Sequence, residues 1–200
     1  MNQKKKVLIL VLALVVLIGG AAVLYQKMGQ KIGTEQLVAQ EEKQPEPTAE
    51  EETKEQEKNP ELVKAPDFVV YDFEGKEVRL SDYIGKPLVV NFWASWCGPC
   101  QMEMPDFQKK YEEMGEEIQF LMINMTDGSR ETVEKASTFI GEQEYTFPVF
   151  YDTESNAAAT YGAYSLPTTF FIDAEGYAVA QAKGAIDGET LQKGIDMITK

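Results

Sequence analysis

Two thiols three positions apart, Cys97 and Cys100, carry the clearest chemistry in this 200-residue chain. The sequence holds two cysteines in all and no histidine. Ser–His–Asp and Cys–His catalysis are therefore excluded, as are histidine-based zinc sites. A zinc site built on this pair would need two more soft ligands, and none remain. A purely structural bridge across so short a loop would stabilise the fold much less than one closing a long loop. C-x-x-C at a strand-to-helix junction reads instead as a redox pair.

That reading depends on where the first sulfur sits. Unpaired N–H groups and a partial positive charge at a helix mouth both favour a thiolate. A free thiol with a pKa near 8.5 is only about 3% ionised at pH 7, and a shift worth roughly 2 kcal/mol brings it to about half. Cys97 is then the attacking sulfur, and Cys100, one turn further in, resolves the mixed disulfide. Pro99 fits the first helical turn, where its missing N–H costs nothing, and Gly98 lets a substrate chain approach closely.

The elements that would hold the pair follow from the pattern around it. Pro87 to Trp93 is mostly apolar and reads as a strand buried on both faces, with Gly98 to Met114 helical after it. Phe68 to Phe73 and Glu77 to Leu80 form a hairpin about Glu74-Gly75, with Ser81 capping a short helical turn. Ile118 to Asn124 and Phe147 to Tyr151 read as strands, Glu131 to Ile140 and Asn156 to Tyr161 as helices. Thr168 to Ile172 and Tyr177 to Gln181 make a second hairpin, and a closing helix begins at Asp187 or Gly188. Together these predict an α/β fold with a central mixed sheet flanked by helices.

Net charge is −14, and residues 63–200 carry 23 Asp and Glu against 11 Lys and Arg. Nucleic-acid binding requires the opposite sign and is excluded as a main function. Residues 1–6 are basic, and 7–24 form an uncharged apolar run of about 27 Å as a helix, enough to span a bilayer core. Lys4, Lys5 and Lys6 ahead of it place the amino terminus in the cytoplasm and the rest of the chain outside. A cleaved signal peptide is the rival, with Gly20 and Ala22 offering a small-x-small site. Residues 25–62, polar and acidic with Pro45, Pro47 and Pro60, read as a disordered tether. Residues 63–200 form the folded domain.

The string Asn91-Phe92-Trp93-Ala94-Ser95-Trp96-Cys97-Gly98-Pro99-Cys100 resembles the active site of the thioredoxin superfamily. The likeness continues through Met102-Glu103-Met104-Pro105 and resumes at Ser165-Leu166-Pro167-Thr168-Thr169-Phe170, similar to the family's cis-proline loop. The amino-terminal anchor, Glu103 three residues after the second cysteine, and an added strand–helix unit near residues 125–150 resemble the membrane-anchored TlpA/ResA-like (redoxin) branch related to cytochrome c biogenesis. Asn91 departs from cytosolic thioredoxins, which carry a buried aspartate there.

The resemblance implies a thioredoxin-like fold with an amino-terminal β-hairpin and a central strand–helix insertion. It implies an extracytoplasmic thiol–disulfide oxidoreductase, without metal or other cofactor, that reduces protein disulfides and is recharged by a transmembrane electron donor. Apocytochrome c is the substrate it suggests. It makes Glu103 an acid–base group beside the thiols and the Leu166–Pro167 bond cis, and it puts Trp96, Gly98, Pro99, Leu166 and Pro167 on the substrate face. Two alternatives stand beside this reading. A thiol peroxidase lacks the expected Pro-x-x-x-Thr-x-x-Cys pattern around Cys97, and a redox-inert peptide-binding module would show no reversible couple.

Overall fold

Uninterrupted apolar runs set the centre of the sheet, because a strand covered on both faces has no polar side to show. The computed structural model describes residues 63–199 and the backbone of residues 37–38. The expected basic segment 1–6, the apolar run 7–24 and all of the 25–62 tether but those two residues lie outside what is described. No helix among the described residues is long and apolar enough to cross a membrane.

At the centre lies β5 (Leu88–Trp93), with every residue buried. It pairs in parallel with β6 (Gln119–Asn124), which pairs in parallel with β7 (Val149–Tyr151). Parallel neighbours need crossovers, and two helices supply them: α1 (Gly98–Met114) and α2 (Val133–Glu142). On the other flank β8 (Thr168–Ile172) runs antiparallel to β5, and β9 (Tyr177–Lys183) runs antiparallel to β8 with a bulge at Phe171/Ile172. The hairpin of β3 (Val69–Tyr71) and β4 (Glu77–Arg79) extends the sheet beyond β7. Two short strands, β1 (Leu37–Val38) and β2 (Val63–Lys64), pair with β9. The remaining helices are α3 (Asn156–Tyr161) and α4 (Gly188–Ile198).

Alternation along β5 divides the core. Val89 and Trp93 join Met104, Phe107, Phe171, Leu191 and Ile195 on one face. Leu88, Val90 and Phe92 join Phe68, Leu121, Ile123, Phe170 and Ile172 on the other. Gly194 allows α4 to seat on the first face, since a Cβ there would lie 2.2 Å from the Phe171 ring.

Several strand ends shift by one or two residues from the sequence reading, and three differences have a clear local cause. The turn after β4 is a 3-10 helix at Leu80–Tyr83 entered through Arg79, whose backbone N–H donates to Asp82 Oδ2 at 3.0 Å, so Ser81 lies inside it. Strand β7 begins at Val149 because Pro148 has no N–H for the ladder, although its carbonyl accepts from Met122 at 3.2 Å. Helix α2 starts at Val133, capped by Thr132, which leaves Glu131 outside it.

Candidate active site

Helix α1 opens where β5 ends, and Cys97 is its N-cap residue. Its Sγ accepts from the Cys100 backbone N–H at 3.3 Å, so the sulfur takes one of the donors a helix start leaves free. Pro99 sits in the first turn. Cys97 and Cys100 are joined as a disulfide with Cα atoms 5.2 Å apart. Cys97 retains 5% exposure and Cys100 none. Of the two, Cys97 alone keeps any surface open to solvent.

Glu103 lies one turn beyond Cys100 and is 2% exposed. Its Oε1 accepts from Asn91 Nδ2 at 2.8 Å, and its Oε2 from the Ile186 backbone N–H at 3.0 Å. Burial raises this carboxyl to about 7, opposed in part by the same two hydrogen bonds, which favour the charged form. Such a group can hold or release a proton near neutral pH. Asn91 Nδ2 also donates to Thr169 Oγ1 at 3.0 Å, tying β5 to β8 beneath the helix.

The Leu166–Pro167 peptide bond is cis. Thr168 is the register partner of Phe92, so Pro167 meets the end of β5 from which the cysteine loop departs. The Pro167 carbonyl accepts from Gly184 N–H at 2.9 Å, and Thr168 Oγ1 donates to the Ser165 carbonyl at 2.7 Å, which pins the loop from both sides. Trp93 is fully buried, whereas Trp96 is 41% exposed on the rim. The structure thus brings Trp96, Cys97, Gly98, Pro99, Cys100, Glu103, Leu166 and Pro167 to one end of the sheet.

Sequence reasoning missed four contributors. Thr169 and Ile186 support the Asn91–Glu103 pair as described above. Glu131 is wholly buried and hydrogen-bonds Ser95, while the Arg130 guanidinium lies 3.4 Å from the centre of the Trp96 ring. A residue type gives no warning that a backbone donor such as Ile186 will be used. An acid at the first position of an expected helix already has a local explanation in the helix dipole, so nothing flagged Glu131.

Comparison with known proteins agrees with this geometry. A family model described as "AhpC/TSA family" matches residues 63–180. The thiol-disulfide oxidoreductase ResA of Bacillus thuringiensis subsp. konkukian is 38% identical over 138 residues, covering 68% of this chain and 76% of that protein. Among solved structures, the pneumococcal exposed lipoprotein thioredoxin Etrx1 of Streptococcus pneumoniae shares 33% identity with a TM-score of 0.55, covering 66% of this chain and 99% of that one. A DsbF homologue from Corynebacterium diphtheriae shares 25% identity with a TM-score of 0.61, covering 83% of this chain and 95% of that one.

Proposed function

The chain belongs to the AhpC/TSA family, among its thioredoxin-like thiol–disulfide oxidoreductases, and from that premise we propose that it reduces protein disulfides outside the cytoplasm through attack by Cys97 and resolution by Cys100. Thiol–disulfide exchange is the activity of this family branch, and the C-x-x-C pair is the redox-active disulfide. The direction, the compartment and the roles of individual residues are the proposal.

In the reduced protein, Cys97 thiolate attacks one sulfur of the substrate disulfide. The substrate S–S bond breaks, one substrate thiolate leaves, and a mixed disulfide forms with Cys97. Cys100 then gives up its proton, attacks Cys97 Sγ and expels the second substrate thiolate. Two electrons have passed to the substrate, and the Cys97–Cys100 disulfide remains. Glu103, poised near neutrality, receives the Cys100 proton and returns it to a leaving thiolate. The backbone of Leu166 pairs with an extended substrate segment, and Trp96, Gly98, Pro99 and Pro167 shape the surface it lies on.

One observation carries the assignment of roles: Cys97, the cysteine that keeps some exposed surface, caps the helix with its sulfur, and Cys100 is sealed beneath it. Cys97→Ser should abolish disulfide reductase turnover, and Cys100→Ser should accumulate covalent mixed disulfides through Cys97. Trapping through Cys100 instead would reverse the roles.

The Gly-Pro between the cysteines resembles reducing members of the superfamily more than strongly oxidising ones. A reductase outside the cytoplasm needs a dithiol donor that carries electrons across the membrane. We place the apolar run 7–24 in the membrane as a single-pass anchor and 25–62 as its tether. Apocytochrome c, the substrate suggested by resemblance, is tested by offering a reduced full-length sample a disulfide-closed C-x-x-C-H peptide. Failure to reduce that peptide while an unrelated protein disulfide is reduced would remove cytochrome c maturation from the proposal.

A further inference from the structure

The exchange described above leaves one wholly buried carboxylate unused. Glu131 sits in the loop between β6 and α2. Its Oε1 accepts from the Ser95 backbone N–H at 2.9 Å and from Asn124 Nδ2 at 2.7 Å, and its Oε2 accepts from Ser95 Oγ at 2.7 Å. The loop that carries it is itself tied down. Asp127 Oδ1 accepts from Glu131 N–H at 3.0 Å, the Glu131 carbonyl accepts from Gly128 N–H at 2.9 Å, and Lys135 Nζ donates to the Ser129 and Arg130 carbonyls at 3.0 Å. Next to Glu131, Arg130 stacks its guanidinium on Trp96.

Two consecutive residues of one loop therefore grip two consecutive residues of another, Ser95 and Trp96, immediately before Cys97. Burying a carboxylate costs several kcal/mol unless its partners are good, and here both oxygens are used. A carboxylate that served only its own loop would not need the backbone N–H of Ser95. That N–H lies inside the Ala94–Cys97 turn, which is closed by Cys97 N–H donating to the Ala94 carbonyl at 3.1 Å.

We propose that Glu131 and Arg130 form a clamp, delivered by the strand–helix unit inserted after β6, that positions the Cys97 turn at the mouth of α1 and holds Trp96 at its rim. Both are positioning residues, since neither contacts the sulfurs. The inference rests on the reading that Cys97 is the attacking thiol. It assigns the inserted unit a task beyond widening the sheet and packing Ala136 and Phe139 on the core.

The test uses the reduced full-length protein and the neutral disulfide 2,2′-dithiodipyridine, with the second-order rate at Cys97 as the readout. Glu131→Ala should lower that rate about tenfold, because small misplacements of a reacting group are costly. Glu131→Gln should recover most of it, since an amide oxygen still accepts from Ser95 N–H and Asn124 while Ser95 Oγ turns to accept from the amide nitrogen. Should Glu131→Ala not fold, Ser95→Ala deletes one clamp bond at a less buried position and should lower the rate about threefold. Arg130→Gln should make Trp96 emission more readily quenched by acrylamide, Trp93 being too buried to contribute.

A wild-type rate in Glu131→Ala, or in Ser95→Ala where the first does not fold, would overturn the clamp. So would a Glu131→Gln rate as low as that of Glu131→Ala. Unchanged quenching in Arg130→Gln would remove Arg130 from it. Cys97→Ser run alongside separates the two readings: loss of reaction there with no effect at Glu131 defeats the clamp alone, and persistent fast reaction there defeats the assignment of Cys97.

Discussion

The two faces of the central sheet are built from the same strands and serve different ends. On the face that carries Leu88, Val90 and Phe92, the cluster is rich in aromatic edges, with Phe92 and Phe170 6.0 Å apart and Tyr161 and Phe170 4.8 Å apart, and its one buried acid, Asp152, accepts from Ala157 and Ala158 N–H at 3.1 and 2.8 Å at the start of α3. On the opposite face the same strands turn Asn91, Asn124 and Thr169 inward, and Glu103 and Glu131 descend onto them. The buried acid of the first face serves the start of the helix that follows it in the chain, whereas both acids of the second face bond residues far away in sequence. The difference teaches that one face anchors the sheet and frees the other to hold polar groups that the cysteine turn needs.

The largest effect that could break this comparison comes from the apolar face. Phe92→Ala should cost about 3–5 kcal/mol through lost burial and a cavity, measured by urea unfolding of the oxidised protein. The rate of Cys97 in the molecules that remain folded should stay within about twofold of wild type. Its chain neighbour Asn91 points the other way, so a comparable loss of rate in Phe92→Ala would show that the two faces are not separable.

A somewhat smaller effect sharpens the comparison on the polar face. The Glu103 carboxyl titrates near 7 in the fold, against 4.5 as its ordinary value. Between those values the native state holds a proton that the unfolded chain has released, so stability falls as pH rises through that window. The full span is worth about 3 kcal/mol. Glu103→Gln lacks the titration, so the stability difference between wild type and variant should move by about that much in the variant's favour between pH 4 and pH 8. The oxidised protein is the right sample, because its thiols cannot titrate. Parallel stability profiles would mean that Glu103 ionises as an exposed acid does, and its proposed proton transfer would fail with them.

Much of this architecture was legible in the residues. The bounds of α1, α3 and β8 follow from local signals: a proline in the first turn, an alanine run closed by glycine, a β-branched and aromatic segment before a turn. The cysteine pair and the Leu166–Pro167 loop were legible because their motif is short and specific. What escaped were bonds between residues far apart in the chain. Glu131 reaches Ser95 across a separation of 36, and Ile186 reaches Glu103 across 83. Neither has a local signature, and Glu131 read naturally as the first residue of a helix that in fact begins two positions later. Periodicity reports which face a residue takes, not which distant donor it will meet there.

The smallest effect tests whether stability and chemistry meet anywhere on the polar face. Asp187 caps α4, its side chain accepting from Thr190 N–H at 2.8 Å, and that bond holds its carboxyl below the usual aspartate range. Asp187→Ala should cost about 1 kcal/mol near pH 7, as loss of an N-cap generally does. A depressed carboxyl contributes above its ordinary pKa and loses that contribution as pH falls through the lowered value, so the two proteins should converge in acid. Asp187 also follows Ile186, whose N–H is one of the two donors to Glu103. A frayed start to α4 weakens that donor, and with less support for its charged form Glu103 should titrate higher still. The expected outcome is therefore a small loss of stability together with an upward move in the Glu103 midpoint, read from the pH dependence of unfolding against an Asp187→Ala, Glu103→Gln double variant. A stability loss with the midpoint unmoved would show that the α4 cap serves the fold alone, and that the site is insulated even from the helix that supplies one of its donors.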